Sequence, residues 1–357
     1  MKTFIIAEAG VNHNGSLKKA LDLVDIAKGS GADAIKFQTF KTDNLVLKNT
    51  ELANYQKKNL SIDTDQYTML KSLELSFNDF KKLSDYCSTK EIEFMSTAFD
   101  SESLSFLVKK LGVNVLKVPS GELTNIPFII EHARTGKKLI ISTGMGTIDE
   151  VKVALAAANY GMQYKESDPQ KKDLIESLDI PYEKSKLKEM VTVLHCSSEY
   201  PANIENINLK AMKTIRNAFD VNVGYSDHTL GDEVSVAAVA LGAKVIEKHF
   251  TISRNLDGPD HKASLEPDEL TTLIKKIRNI EMAVGNGEKV PSEQEYELRD
   301  IARKSLVAEE DIKIGDTFSF SNIAIKRPGT GMRPIKIFNL IGQVSKNAYS
   351  CGDLINE

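Results

Sequence analysis

Val115-Leu116-Lys117-Val118-Pro119-Ser120-Gly121-Glu122 and Leu139-Ile140-Ile141-Ser142-Thr143-Gly144-Met145 share one layout: a short apolar run, then hydroxyl or charged residues, then glycine. Continuous apolar runs of this length suit strands buried on both faces, as in a parallel sheet. Short apolar runs ending in polar residues recur at Phe4–Ala7, Ala34–Phe37, Ile92–Met95, Val191–Leu194, Val221–Gly224 and Val245–Ile246. Amphipathic stretches fill the gaps: Leu17–Lys28, Phe77–Thr89, Ser101–Leu111, Ile126–Arg134, Ile148–Tyr160, Leu209–Ala218, Asp232–Leu241 and Glu266–Val284. About eight strand–helix units predict a (β/α)₈ TIM barrel. The alternative, an open doubly wound sheet, lacks its usual glycine fingerprint after the first strand.

A barrel brings the C-terminal ends of its strands to one rim. Here those ends carry Glu8, Lys36 with Gln38, Ser96 with Thr97, Lys117 with Ser120, Ser142, His195 with Cys196, Ser226 with Asp227 and His228, and Glu247 with Lys248 and His249. His228 and His249 end adjacent strands, where two neutral imidazoles suit a divalent metal. They equally fit two unrelated histidines, one of them in a turn. Lys36, Thr97, Lys117, Ser120, Ser142 and Ser226 together suit an anion bearing carboxylate and phosphate; singly, each reads as a cap or turn residue, as Ser142 would before the helix from Ile148. Glu8 is either a site acid or a structural carboxylate paired with Lys36. Glu122, in a turn after Pro119, suits a proton carrier. Asp260 lies in the turn-rich Leu256–His261, where a plain solvated aspartate is the other reading.

The chain has 357 residues, 41% hydrophobic and 27% charged, with a formal net charge of -4. That balance gives no general attraction for nucleic acid or anionic lipid. No apolar run is long enough to span a bilayer, and Glu8 interrupts the N-terminal one. Cys87, Cys196 and Cys351 are scattered and form no disulfide framework, which suits a cytoplasmic location. Two segments stand outside the units. Gln163–Lys188 is a charged insertion, expected to be solvated and part helical on the face opposite the rim. After Gly285 the character changes, so the expected division is a barrel over 1–284, a linker over 285–300 and a small β-rich domain over 301–357.

Glu8–Gly15, Lys36–Thr39, Pro119–Glu122, Ser142–Met145, Gly224–Thr229, Glu247–Phe250 and Gly258–His261 resemble the motif series of the bacterial sialic acid synthases, which include N-acetylneuraminate, legionaminate and pseudaminate synthases. Lys326-Arg327-Pro328-Gly329 resembles their C-terminal antifreeze-like (SAF) domain. The resemblance implies a barrel enzyme joining phosphoenolpyruvate to an N-acylated mannosamine-type sugar and releasing phosphate. It implies catalytic roles for Glu122, His228, His249 and Lys36, with His228 and His249 holding Mn²⁺ (or Mg²⁺ or Co²⁺). Lys36, Thr97, Lys117, Ser120, Ser142 and Ser226 would bind phosphoenolpyruvate; Glu8, Gln38, Tyr200, Asp260 and Arg327 would bind the sugar. It further implies a domain-swapped homodimer in which Arg327 completes the partner's site. Two departures are Ala98, where the family usually has proline, and the longer insertion. The acceptor expected here is N-acetylmannosamine, with 2,4-diacetamido-2,4,6-trideoxymannose as the alternative. A pyruvate aldolase and a non-catalytic carbohydrate- or ice-binding protein are the competing readings.

Overall fold

In the computed structural model, which describes residues 2–60, 64–169 and 181–356, eight parallel strands close into a barrel in sequence order. They are β1 (Phe4–Gly10), β2 (Ala34–Thr39), β3 (Glu93–Ala98), β4 (Val115–Val118), β5 (Lys138–Ser142), β6 (Val191–Cys196), β7 (Asn222–Asp227) and β8 (Val245–His249). Every expected strand is present. Most run further at the C-terminal end than the apolar runs do, because parallel pairing continues through polar residues: Glu8 pairs with Lys36 and with His249, and Cys196 with Ser226. The closed ring excludes the open-sheet alternative.

Side chains alternate between the two faces of a strand. One set (Ile5, Ala7, Ile35, Phe37, Leu116, Val118, Val193, Val223 and Ile246) packs outward with the helices in the main core. The opposite set (Ile6, Ala34, Met95, Ile140, Leu194 and Val245) forms a separate apolar cluster that plugs the barrel lumen. Two residues further along each strand, the same inward parity delivers Glu8, Lys36, Thr97, Lys117, Ser142, Cys196, Ser226 and Glu247. The site therefore rests on an apolar floor.

The helices form where the amphipathic pattern placed them, with differences at the ends. Ile126–Arg134 starts at the Asn125 cap with Pro127 in its first turn. Ile148–Gln163 starts at a capping box of Thr147 and Glu150. That leaves Ser142 without a capping role. Ser101–Phe106 passes into a π-helical turn, Leu107–Leu111, that Gly112 ends in the left-handed conformation. Between β2 and Phe77 the chain forms three short helices, Thr42–Leu45, Asn54–Asn59 and Gln66–Leu73, that the sequence reading did not anticipate. They rest on a satellite cluster of Val11, Phe40, Leu52, Met69 and Leu73. Of the insertion Gln163–Lys188, residues 170–180 lie outside the described residues; Pro181–Met190 is helical and leads directly into β6.

The chain divides into two compact units, Met1–Gly285 and Asn286–Glu357. In the second, β9 (Ser305–Ala308) and β10 (Ile323–Lys326) pair antiparallel. Its own core contains Leu306, Ile312, Phe318, Ile323, Ile337, Leu340, Tyr349 and Ile355. The stretch read as linker contains the helix Glu293–Ala302, set by a capping box of Ser292 and Glu295. Gly315 and Gly352 lie at turns of this unit, with φ of 96° and 95°.

Candidate active site

The polar layer above the lumen plug is a buried charge network. Lys36 Nζ lies 2.7 Å from Glu8, 3.5 Å from Glu247 and 2.9 Å from Thr97 Oγ1. Lys117 Nζ lies 3.8 Å from Glu247, and Ser226 donates to Glu247 at 2.9 Å. All four charged groups are buried. Isolated charges would be strongly disfavoured there, so each must be met by an opposite one. Burial pulls against the charge of Glu247, but Lys117 and Lys36 outweigh it and hold its carboxyl well below the usual range. Burial dominates at Glu8 and, with the neighbouring Glu247, pushes it up to about 7 despite Lys36. Lys36 is held up by Glu247 and Glu8 against burial, whereas burial lowers Lys117. Protonation of Glu8 would leave two lysines facing one carboxylate, an arrangement that suits an anion.

Around the lysines stand hydroxyls. Ser120 Oγ receives Gly144 N–H at 3.0 Å and meets Cys196 Sγ at 3.1 Å. A Cβ on Gly144 would lie 2.2 Å from Ser198 Oγ and 2.8 Å from Ser120 Oγ, so only glycine permits this approach. Ser142 Oγ is buried with no hydrogen-bond partner. An orphaned buried hydroxyl is uncommon in a folded protein and is free to take a hydrogen bond. Glu122 sits in a 3₁₀ turn at the rim and accepts from Asn125 at 2.6 Å.

Above this layer the rings of His228 and His249 lie 5.5 Å apart, centre to centre. Burial lowers the His228 pKa to about 4, and burial together with His228 lowers that of His249 well below its ordinary value, so both are neutral imidazoles at neutral pH. His228 Nδ1–H donates to the Ser197 carbonyl, which leaves Nε2 with its lone pair. His249 Nδ1 is buried without a partner. Nε2 of His228, with Ser226 Oγ 3.5 Å away, and the unpartnered Nδ1 of His249 are the donor type that suits a divalent cation of borderline softness. Among the described residues no group of three or more His, Cys, Asp or Glu is arranged to hold a metal. Tyr200 covers the pair, 4.1 Å from His228 and edge-on to His249 at 5.7 Å. Gly10, with φ +52°, lies where a Cβ would be 3.3–3.4 Å from His249, Gln38 and Glu8, so these three converge at one point. Asp260 is buried, which raises its carboxyl to about 6.

Thus one barrel mouth collects Lys36, Thr97, Lys117, Ser120, Ser142, Ser226, Glu8, Gln38, Tyr200, Asp260, His228 and His249. Arg327 belongs to the second unit, where it is exposed and donates to the Ala302 carbonyl at 3.1 Å. Glu247 was missed as a site residue. Its signal was a carboxylate at an inward position of a strand whose five residues are all buried. His195, though near the rim, faces outward and bonds the Ile207 carbonyl at 2.7 Å. Asp227 and Lys248 also face outward, as an ion pair of 3.0 Å with less than 2% exposure. Ser235 donates to the same aspartate at 2.6 Å, and Lys248 to the Thr229 carbonyl at 2.6 Å.

The fold and this layer define the class: a (β/α)₈ barrel with a lysine- and hydroxyl-lined pocket beneath two neutral histidines at its C-terminal mouth. The chain belongs to the NeuB family, whose pattern matches residues 23–289. It is 47% identical, over 99% of its length and 93% of the relative's, to an N,N'-diacetyllegionaminic acid synthase of Legionella pneumophila. It is 43% identical, over 100% of its length and 99% of the relative's, to the N,N'-diacetyllegionaminic acid synthase of Campylobacter jejuni. Among solved structures it resembles an N-acetylneuraminic acid synthetase from Leptospira borgpetersenii, with TM-score 0.68 and 32% identity over 83% of this chain and 90% of that one.

Proposed function

We propose that the chain condenses phosphoenolpyruvate with 2,4-diacetamido-2,4,6-trideoxymannose, yielding N,N'-diacetyllegionaminate and phosphate. The observation that carries the reaction type is the juxtaposition of a pocket lined by two buried lysines and several hydroxyls with two neutral imidazoles over an apolar floor. A phosphate-binding layer does not suit an aldolase using free pyruvate. The acceptor follows from the relatives: identity of 47% and 43% with legionaminic acid synthases exceeds 32% with the N-acetylneuraminic acid synthetase, which favours this sugar over the N-acetylmannosamine expected from the sequence.

Lys36 and Lys117 bind the substrate's phosphate and carboxylate, and Thr97, Ser120, Ser142 and Ser226 orient them. A divalent ion such as Mn²⁺ on His228 and His249 would polarise the sugar aldehyde. Glu8, Gln38, Tyr200 and Asp260 orient the open-chain sugar so that its C1 faces C3 of phosphoenolpyruvate. A carbon–carbon bond forms between them as the aldehyde π bond breaks onto its oxygen. Water adds to the cationic C2, and Glu122 takes its proton and passes one to the former aldehyde oxygen. The C2–O bond to phosphate breaks as the new C2 hydroxyl becomes the ketone, and its proton goes with the leaving phosphate. The lysines stabilise the charge as it moves onto phosphate.

The second unit is read as an antifreeze-like (SAF) domain swapped between two protomers of a cytoplasmic homodimer, with Arg327 reaching the partner's sugar. Among the described residues no helix is long and apolar enough to cross a membrane. Arg327→Ala should raise the sugar KM about tenfold and leave the phosphoenolpyruvate KM unchanged; equal losses for both argue against that role. The test of the activity is phosphate release with Mn²⁺, phosphoenolpyruvate and either sugar. Faster turnover of the trideoxy sugar supports the assignment, and faster turnover of N-acetylmannosamine returns it to the neuraminate branch. His249→Ala should abolish turnover and weaken Mn²⁺ binding by calorimetry with the fold intact; a metal-independent, active variant sinks the role given to the histidines.

A further inference from the structure

We infer that Tyr55 is a specificity-determining residue whose ring forms the apolar wall for the 6-methyl end of the acceptor sugar. The inference rests on the acceptor proposed above and deepens it.

Tyr55 lies in none of the strand-end motifs. It comes from the short helix Asn54–Asn59, in the connection after β2. Its ring stacks on Tyr200 with centroids 5.2 Å apart and planes 24° from parallel. Tyr200 in turn covers His228 at 4.1 Å. The three rings form a continuous ladder that rises from the imidazole pair to the mouth. Burial and the charge of Asp260, another residue assigned to the sugar, both suppress ionisation of the Tyr55 phenol.

The wall is held from several directions. Gln56 accepts from the Ala53 N–H at 2.9 Å, and Asn59 donates to the Pro259 carbonyl at 2.7 Å, beside Asp260. Leu52 and Leu60, on either side of the helix, pack in the satellite cluster with Phe40, Met69 and Leu73. The phenol oxygen receives only a long 3.4 Å bond from Gln56. What Tyr55 offers is its face.

The mouth therefore has a polar side, Glu8 with Gln38 and Asp260, and an aromatic side, Tyr200 with Tyr55. The two candidate acceptors differ in the group an aromatic face reads best. The trideoxy sugar ends in a methyl at C6, and N-acetylmannosamine ends in a hydroxymethyl. Covering the methyl gains apolar burial, while covering the hydroxymethyl strips water from a hydroxyl that the ring cannot satisfy. An apolar wall of this kind discriminates by roughly ten- to a hundredfold.

The experiment measures kcat/KM for both sugars and KM for phosphoenolpyruvate in the wild-type chain and in Tyr55→Phe, Tyr55→Ala and Tyr55→Gln. Tyr55→Phe should keep the wild-type preference. Tyr55→Ala should lose about tenfold for the trideoxy sugar, through KM, with a much smaller loss for N-acetylmannosamine and an unchanged phosphoenolpyruvate KM. Tyr55→Gln keeps the bulk and should shift the ratio in the same direction, which covers a failure of the alanine variant to fold. A wild-type preference for the trideoxy sugar that survives both substitutions overturns the inference alone. A wild-type enzyme that prefers N-acetylmannosamine, or turns over neither sugar, overturns the acceptor assignment and this inference with it.

Discussion

Ser142 shows how much one side chain reveals when its partner is missing. Its hydroxyl is buried and unbonded, a state that costs about 1–3 kcal/mol. Natural cores tolerate such a group where a ligand repays it. Ser142→Ala should therefore raise the phosphoenolpyruvate KM about tenfold while the thermal midpoint stays level or rises. A fall in the midpoint with KM unchanged would make Ser142 a structural residue. The sequence offered Ser142 two roles, helix cap or anion ligand. The cap at Thr147 removed the first, because one helix start needs only one cap and Thr147 lies at the right distance.

At the scale of the element, β7 and β8 present two faces with different tasks. Inward lie Ser226 and Glu247; outward lie Asp227 and Lys248, paired beneath the helix Glu233–Ala240, which contributes Ser235. The outward pair ties together the strand ends from which His228 and His249 project. Lys248→Met would strand a buried carboxylate and should cost roughly 3–5 kcal/mol. Lys248→Met/Asp227→Asn should recover part of that loss, since the amide carries no charge to strand. Urea unfolding of the three proteins decides it; a double variant less stable than the single one contradicts the pairing argument. Strand parity was legible beforehand: counting by two from Ile6, Ala34 and Val245 reaches Glu8, Lys36 and Glu247. Parity also explains why His195 sits at the rim without joining the site.

At the scale of the whole molecule, burial of neutral histidines sets the response to acid. His132 is buried on the helix Ile126–Arg134, bonded through Nδ1 to the Phe128 carbonyl at 2.8 Å, and its pKa is lowered by burial from 6.5 to about 4. A lowered folded pKa means that the unfolded chain takes up the proton first. The stability His132 contributes is therefore complete above pH 6.5 and is lost as pH falls through 4, on the order of 2–3 kcal/mol. His132→Leu should flatten the decline in urea stability between pH 7 and pH 4, with turnover at pH 7 unchanged. An acid limb as steep as that of the wild-type chain would exclude His132 as a contributor. Glu8 moves the opposite way. Its raised pKa, about 7, means that alkali removes the proton that leaves the anion layer positive, so affinity for phosphoenolpyruvate should weaken as pH rises through that value.

The sequence by itself determined the eight-unit order, the inward parity of each strand and the residue types at the rim, because these depend on local periodicity. It also exposed the break before the second unit, through glycine and proline chemistry. Only the tertiary structure decided what depends on distances across the barrel. It paired Glu247 with both lysines and left Ser142 Oγ and His249 Nδ1 without hydrogen-bond partners. It also lowered the helix Asn54–Asn59 onto Tyr200. That helix has no strong periodic pattern, and its place is set by Leu52 and Leu60 packing in the satellite cluster and by Asn59 donating to the Pro259 carbonyl, a contact that no window of sequence contains.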